Sequence, residues 1–303
     1  MNEFQLIDKI KSILKNDLIG DDTAPIKIGD KTLLLTNDIL LEGRHFLNYF
    51  PQEFLGWKAI SVNVSDIVAS GGKPKYALVS LLLPKNKITL VEPISRQIKK
   101  ACQYYDCQVV GGNITGSEKL GLDVFMIGET KKFIGRRQAK PGDNVYLTGP
   151  IGDSRAGLKL LTMKKKPYES FEKILIEKHL KPVINLNHAK YLSQNATSSI
   201  DVSDGLSSDI YHLANSSQKK IIINSEKIPL SRELKLFCKK YRFNPIDFAL
   251  KGGEDYQVLL TQNGKSQKTN DKLILIGKVY KGSGVFLDKN KLKDKSFDHF
   301  SPS

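Results

Sequence analysis

Short apolar runs alternate with segments of helical period along most of the 303-residue chain, and this alternation restricts the fold more than any single motif does. KTLLLTND reads as a strand ending in a polar corner. EFLGWKAISVNVSDIVAS follows as a helix with Trp57, Ile60, Val64, Ile67 and Val68 on one face, stopped by Gly71, Gly72 and Pro74. YALVSLLL is a buried strand, VEPISRQIKKACQYY a helix with Pro93 in its first turn, and CQVVGG and LDVFMIGE are two further strands. The loop GRRQAKPGD is the best boundary. Beyond it come strand NVYLTG and helices at DSRAGLKLLTMKKK, YESFEKILIEKHL and NLNHAKYLS. Strand SSIDVSD, helix SSDIYHLANSS, strand KKIIINS, helix SRELKLFCKKY and strands YQVLLT, KLILIGKVY and GVFLD complete the pattern. The reading is an α/β (α+β) protein in two lobes, 1–139 and 140–303, each long enough to bury a core.

The formal charge is +15, but only seven of the 47 cations are Arg. Scattered Lys is the composition of a solvated surface, whereas Arg supplies the bidentate forks that grip phosphates and base edges. This argues against specific nucleic-acid recognition. The longest apolar run, Ala77 to Leu83, is far short of a membrane span of roughly 20 residues. The opening MNEFQLIDKIKSILK reads as an amphipathic helix rather than a leader. Cys102, Cys107 and Cys238 form no CxxC pair, and the histidines form no HExxH. Reduced thiols and a cytoplasmic location are the expectation.

Polar residues gather at element ends, where strands deliver side chains into a crevice. The clusters are GDDTAP (Asp21, Asp22), LTNDILLEGRHF (Thr36, Asn37, Asp38, His45), VNVSDIVASGG (Asn63, Asp66), VVGGNITGS (Gly111, Gly112, Asn113), IDVSDGL (Asp201, Ser203, Asp204) and KGGEDYQ (Gly252, Gly253, Glu254, Asp255). Taken singly, each has an ordinary explanation. Asp22 and Asp204 suit N-caps, Asp38 an Asx turn, and Gly252-Gly253 a plain turn. Asp66 shares a helix face with Asn63 and Ser70, a polar stripe that a solvent-facing side also produces. Taken together, separate carboxylates suit several Mg²⁺ ions along a polyphosphate, because Mg²⁺ takes one or two carboxylates and completes its shell with phosphates and water. No P-loop is present: Leu259 occupies the first glycine position ahead of Gly264-Lys265-Ser266. The kinase HRD and DFG sets are also missing.

In order, the blocks IGDDTAPI, LTNDILLEGRHF, WKAISVNVSDIVASGGKPKYALVSLLLP, GGN, RRQAKPGDNVYLTGPIGDSRAGL, IDVSDGLSSDIYHLA and LKGGEDYQVLLT resemble those of the thiamine-monophosphate kinase family, from Ile19 to the closing FDHF. The resemblance implies transfer of the γ-phosphoryl of ATP to thiamine phosphate. It also implies the two-lobed fold of aminoimidazole-ribonucleotide synthetase. There the N-terminal lobe forms a dimer-interface sheet, and nucleotide lies between the lobes and across a homodimer. Asp22, Thr36, Asn37, Asp38, Asp66, Asp201 and Asp204 match the family's magnesium positions. Gly112, Asn113, Arg136 and Ser203 match its ATP contacts, and His45, Glu254 and Phe297 its substrate contacts.

Two positions depart from the pattern. Asn113 stands where the family has Asp after the double glycine, and Asn37 where it has Thr or Ser before Asp38. An amide oxygen ligates Mg²⁺ without bringing charge, which predicts weaker binding of one ion. The acceptor, a phosphate monoester, is anionic near neutral pH and needs no general base. The task is to bring two anions together, which repel by about 4 kcal/mol at about 4 Å in an effective dielectric near 20. The nearest rival readings are other ATP enzymes of the same fold: aminoimidazole-ribonucleotide synthetase, selenophosphate synthetase and the hydrogenase-maturation type. A basic, non-catalytic binding protein is a rival of a different kind.

Overall fold

The computed structural model describes residues 3–16, 18–164, 166–264 and 273–292. Phe297 lies outside the described residues. Helix α1 (Glu3–Leu14) precedes an antiparallel pair, β1 (Ala24–Ile28) and β2 (Lys31–Leu41). Then come α2 (Leu55–Ala69), β3 (Lys73–Leu83), α3 (Val91–Tyr105), β4 (Gln108–Gly116) and β5 (Gly121–Thr130). These strands form one sheet in the order β1-β2-β5-β3-β4, antiparallel except for β3 with β4.

The second sheet uses β6 (Asp143–Leu147), β7 (Ala196–Asp201), β8 (Lys220–Ile223), β9 (Val258–Asn263), β10 (Ile274–Tyr280), β11 (Gly284–Leu287) and β12 (Asn290–Lys291). Their order is β12-β11-β8-β10-β6-β9-β7. Helices α4 (Asp153–Met163), α5 (Ser170–Leu180), α6 (Asn187–Asn195), α7 (Leu206–Ser217), α8 (Arg232–Tyr241) and α9 (Pro245–Lys251) fill the connections. The mixed α/β architecture is the one expected from the alternation. Three elements were not anticipated, among them β12, which at two residues is too short to leave a pattern. β1 carries Pro25, which suits an edge strand and disguises the strand pattern. α9 is only seven residues long, too short for periodicity, though Asn244 caps it and Pro245 starts it.

Helix α2 is the axis of the molecule. Fourteen of its fifteen residues are buried, polar ones included, and Asp66 is the exception. Val64, Ile67 and Val68 pack with Leu34, Leu122, Val124 and Met126 of the first sheet. On its other side the helix meets the second half of the chain. Trp57 Nε1 donates to the Pro182 carbonyl at 2.7 Å, and Ser65 Oγ donates to Asp201 Oδ2 at 2.7 Å. Ser199 Oγ donates to the Ala69 carbonyl at 2.5 Å. The polar stripe read on this helix therefore faces protein, not solvent. A helix buried all round needs each hydroxyl and amide paired: Ser65 meets Asp201, Ser61 Oγ meets the Tyr105 hydroxyl at 2.9 Å and Asn63 Nδ2 donates to the Ala59 carbonyl at 3.0 Å.

The opposite face of the first sheet is bare. Ile26, Ile28, Ile39, Tyr76 and Leu78 alternate outward along β1, β2 and β3 and are exposed, so the sheet presents a contiguous apolar surface.

Contact between α2 and α3 depends on Gly56, where an added Cβ would lie 2.2 Å from the Ile94 carbonyl oxygen. Gly56→Ala gains up to about 1 kcal/mol of helix propensity but overpacks this crossing by about 1–3 kcal/mol. A lower urea midpoint is expected, and an unchanged or higher one would contradict this packing.

Candidate active site

Strand β2 alternates its side chains, so Thr36 and Asp38 face α2 while Asn37 faces away. Thr36 Oγ1 donates to Asp66 Oδ2 at 2.5 Å, and Asp38 bonds the Asp66 carboxyl. The Asp201 side chain enters from the end of β7 and is 2 % exposed. Carboxylate oxygens of Asp22, Asp66 and Asp201 lie within 4.8 Å of one another. Four segments distant in sequence thus deliver acids to one corner.

Electrostatics make the corner a candidate cation site. Burial, followed by repulsion from Asp38, Asp201 and Asp22, pushes the Asp66 carboxyl well above the usual range. Burial and then Asp22 push Asp201 up to about 8. Asp38 is raised mainly by burial. Buried acids this close cannot all ionise without cations among them. Oxygen donors of this kind suit hard divalent ions. Asn63, one turn before Asp66, adds a buried Oδ1 with no hydrogen-bond partner.

Arg136 supplies part of the compensating charge. Its Nη2 pairs with Asp22 Oδ1, and its backbone N–H donates to Asp21 at 3.2 Å. Its Nε is buried and makes no hydrogen bond. In this conformation the guanidinium points into the acids. Asp21, noted in the sequence beside Asp22 but given no role there, anchors the Arg136 backbone. Its own carboxyl is raised to about 6 by burial and then by Asp22.

The strand-to-helix corner after β7 divides its acids. Asp209 is buried and accepts the Gly205 N–H at 3.0 Å, closing the start of α7, so it is a structural cap. Ser203 and Asp204 stay partly open at the rim. The Ser203 carbonyl accepts the Glu254 N–H at 2.7 Å, and the Val202 carbonyl accepts the Tyr256 N–H at 2.9 Å. Gly252 and Gly253 are more than a turn. Cβ atoms there would lie 2.3 Å from the Phe248 carbonyl oxygen and 2.4 Å from that of Ser203. Only glycine lets the 252–256 loop lie against the acid corner. Asp255 caps α4 through the Gly152 and Ser154 N–H groups at 2.5 and 3.0 Å.

Glu254 lies near the acids, and His45 is among the groups that act on its carboxyl. His45 Nδ1 accepts the Leu41 N–H at 3.0 Å, which leaves its proton on Nε2. Three neighbours carried no usable sequence signal: Lys58 and His179, which hold Glu254, and Tyr256, buried between Glu254 and the acids. Their proximity comes from long-range packing rather than local spacing.

Three residues assigned by resemblance stand apart from this corner. The Asn37 side chain lies on the bare face, where Nδ2 donates to Asp123 Oδ1 at 2.9 Å. Gly112 and Asn113 lie on β4, three strands from β2 and so roughly 14 Å away at about 4.8 Å per strand. They rim a separate groove of about 490 Å³ between α3 and β4, floored by Val79, Leu81, Ile94 and Ile98. Gly112 has φ +154, and a Cβ there would lie 1.8 Å from the Val79 carbonyl oxygen.

Comparison with known proteins agrees with this architecture. Residues 20–130 match the family described as AIR synthase related protein, N-terminal domain. The thiamine-monophosphate kinase of Aquifex aeolicus is 51 % identical over 99 % of this chain and 98 % of its own. That of Pyrococcus abyssi is 31 % identical over 96 % of this chain and 92 % of its own. A solved structure described as AaThiL complexed with AMPPCP and TMP superposes with a TM-score of 0.96 at 51 % identity, covering 99 % of this chain and 97 % of that one. The hydrogenase maturation protein HypE in complex with ATP, at 15 % identity and a TM-score of 0.64, shares the fold over 96 % of this chain and 93 % of its own. With half of its residues identical to a thiamine-monophosphate kinase along nearly its whole length, the chain belongs to the thiamine-monophosphate kinase family.

Proposed function

We propose that this kinase transfers the γ-phosphoryl of ATP to thiamine phosphate, giving thiamine diphosphate, by in-line transfer supported by Mg²⁺. The observation that carries the reading is the convergence of Asp22, Asp66 and Asp201 on one point, with Asp38 against Asp66. These four residues hold the divalent ions, Thr36 orients Asp66, and Asp204 serves an outer ion. Bound Mg²⁺ supplies the charge neutralisation that lets donor and acceptor phosphates approach. Asn37 and Asn113 contribute amide oxygens at most.

The protein's own groups position the reactants. The Arg136 guanidinium, with Nε unsatisfied, leaves Asp22 to steady the nucleotide phosphates, and Ser203 contacts them from the rim. Glu254 and His45 hold the organic part of the acceptor, and the family resemblance adds Phe297 as a further contact. No residue needs to act as base, since the attacking oxygen is already anionic. The adenine base occupies the apolar groove beside Gly112 and Asn113. That groove and the acid corner are three strands apart in one chain. A second copy packed on the bare sheet face joins the two halves of a site across a homodimer. The lobes divide at about residue 139, the N-terminal one carrying the dimer face. The free thiols fit a reducing cytoplasm. No helix among the described residues is long and apolar enough to cross a membrane.

Incubating the purified protein with Mg-ATP and thiamine phosphate and identifying the product by chromatography tests this reading. Thiamine diphosphate and ADP in equal amounts are expected; ADP release independent of thiamine phosphate would overturn it.

Asp66→Asn and Asp201→Asn should each lower kcat by at least about 10²-fold while the protein stays folded. Near-normal turnover at saturating Mg²⁺ would count against the metal roles.

The raised carboxyl pKa values also predict how stability changes with pH. Through Asp21, Asp38, Asp66 and Asp201 the native state holds protons that the unfolded chain has released, from about pH 4 up to the raised Asp201 value of about 8. Four raised acids outweigh the opposite effect of His179 below about pH 6.5, so stability falls as pH rises through that window. Differential scanning fluorimetry without metal should show Tm falling between pH 5 and pH 8. Added Mg²⁺ should raise Tm more at pH 8 than at pH 5, because ions bind the deprotonated acids. A Mg²⁺ effect independent of pH would refute the link.

A further inference from the structure

Glu254 is gripped from two helices. Lys58 of α2 places Nζ 2.6 Å from Oε1, and His179 of α5 places Nδ1 3.3 Å from Oε2. Both partners are buried, Lys58 to 4 % exposure and His179 to 2 %, among Phe46, Phe50 and Leu55. A lysine this deep is tolerable only with its charge paired. His179 Nδ1 is also 3.0 Å from Ser154 Oγ, which ties the grip to α4. The Glu254 side chain keeps 25 % of its surface open.

The backbone reinforces this arrangement. Glu254 has φ 64° and Tyr256 φ 50°, and neither is glycine. Such positions persist only where surroundings over-determine them, and they cluster at functional sites. Here the hydrogen bonds to Ser203 and Val202 do the holding.

The charged and titratable groups facing Glu254 are Lys58, His179 and His45, with Tyr256 from its own loop. Burial, the largest influence, raises the Glu254 carboxyl, but Lys58, His179 and His45 together outweigh it and keep it below the ordinary range. Burial, and then Lys58, push His179 down to about 3, so its ring is neutral. Lys58 therefore cancels the charge of Glu254 while His179 only orients it. A carboxylate has about four lone-pair directions, and the grip uses two.

We propose that Lys58 and His179 are positioning residues that fix Glu254 as an ionised acceptor with two lone-pair directions left open, selecting an acceptor molecule through N–H donors on an amino-substituted heteroaromatic ring. The proposal rests on the reading that Glu254 contacts the organic part of thiamine phosphate. Because the Lys58–Glu254 pair is neutral overall, selection depends on hydrogen bonding rather than on attraction of any cation. A ring lacking the amino group leaves the two remaining acceptor directions of the Glu254 carboxylate unmet once water is displaced, and is disfavoured.

Steady-state kinetics of Lys58→Met, Lys58→Arg, His179→Gln and Glu254→Gln test the assignment. Lys58→Met should raise KM for thiamine phosphate at least about 10-fold and leave KM for ATP within about 2-fold. It should also move the acid limb of kcat/KM for thiamine phosphate to higher pH, since Glu254 without its counter-charge protonates more readily. Lys58→Arg should restore the position of the limb. An unchanged KM for thiamine phosphate, equal losses for both substrates, or an unmoved limb overturns the positioning role. If Lys58→Met does not fold, His179→Gln decides on the same split of KM values. Glu254→Gln separates the two levels. If it leaves KM for thiamine phosphate unchanged, the assignment of Glu254 itself fails; if it raises that KM while Lys58→Met does not, only the grip fails.

Discussion

The burial of helix α2 between two halves of the chain is the constraint on which the rest depends. Its apolar residues seal the first sheet, and its polar residues reach across to the second half. Ser65 meets Asp201, the Trp57 ring nitrogen meets the carbonyl of Pro182, and the carbonyl of Ala69 accepts Ser199. The same helix carries Asp66 near its end and Lys58 near its start. The distance between the acid corner and the Glu254 pocket is therefore set by one rigid rod. Any slip of α2 against β7 or α5 would disturb the acid corner and the grip on Glu254 together.

Much of the molecule could be read before its coordinates, because its elements are long and strongly patterned. α2, α3, β3 and β5 follow apolar periodicities that leave little choice. What escaped was short or contradictory. β1 contains a proline, and α9 is a single capped stretch of seven residues. The acids stood out because several lie at strand or helix ends, but their ordinary explanations were not excluded by spacing alone. Three-dimensional contact decided between them, bringing Asp22, Asp66 and Asp201 together and turning Asp209 into a helix cap.

Lys58 and His179 illustrate what local reading cannot reach. Lysine near the start of a helix looks like surface charge, and a histidine near a helix end looks like a dipole partner. Each gains meaning only from a glutamate far along the chain, held in a left-handed conformation. Asn37 shows the reverse case. Its place beside Asp38 in sequence suggests a shared task, yet the two-residue period of a strand sends it to the other side of the sheet.

Arg136 already neutralises Asp22, so an arriving divalent ion meets a competitor instead of a bare anion. The strength with which the corner takes up such an ion is then a difference between two pairings, not a count of carboxylates. A phosphate group that draws the guanidinium away releases Asp22 at that moment. If the corner takes an ion and Arg136 a nucleotide phosphate, as proposed, each eases the other's entry, and this coupling is equal in both directions.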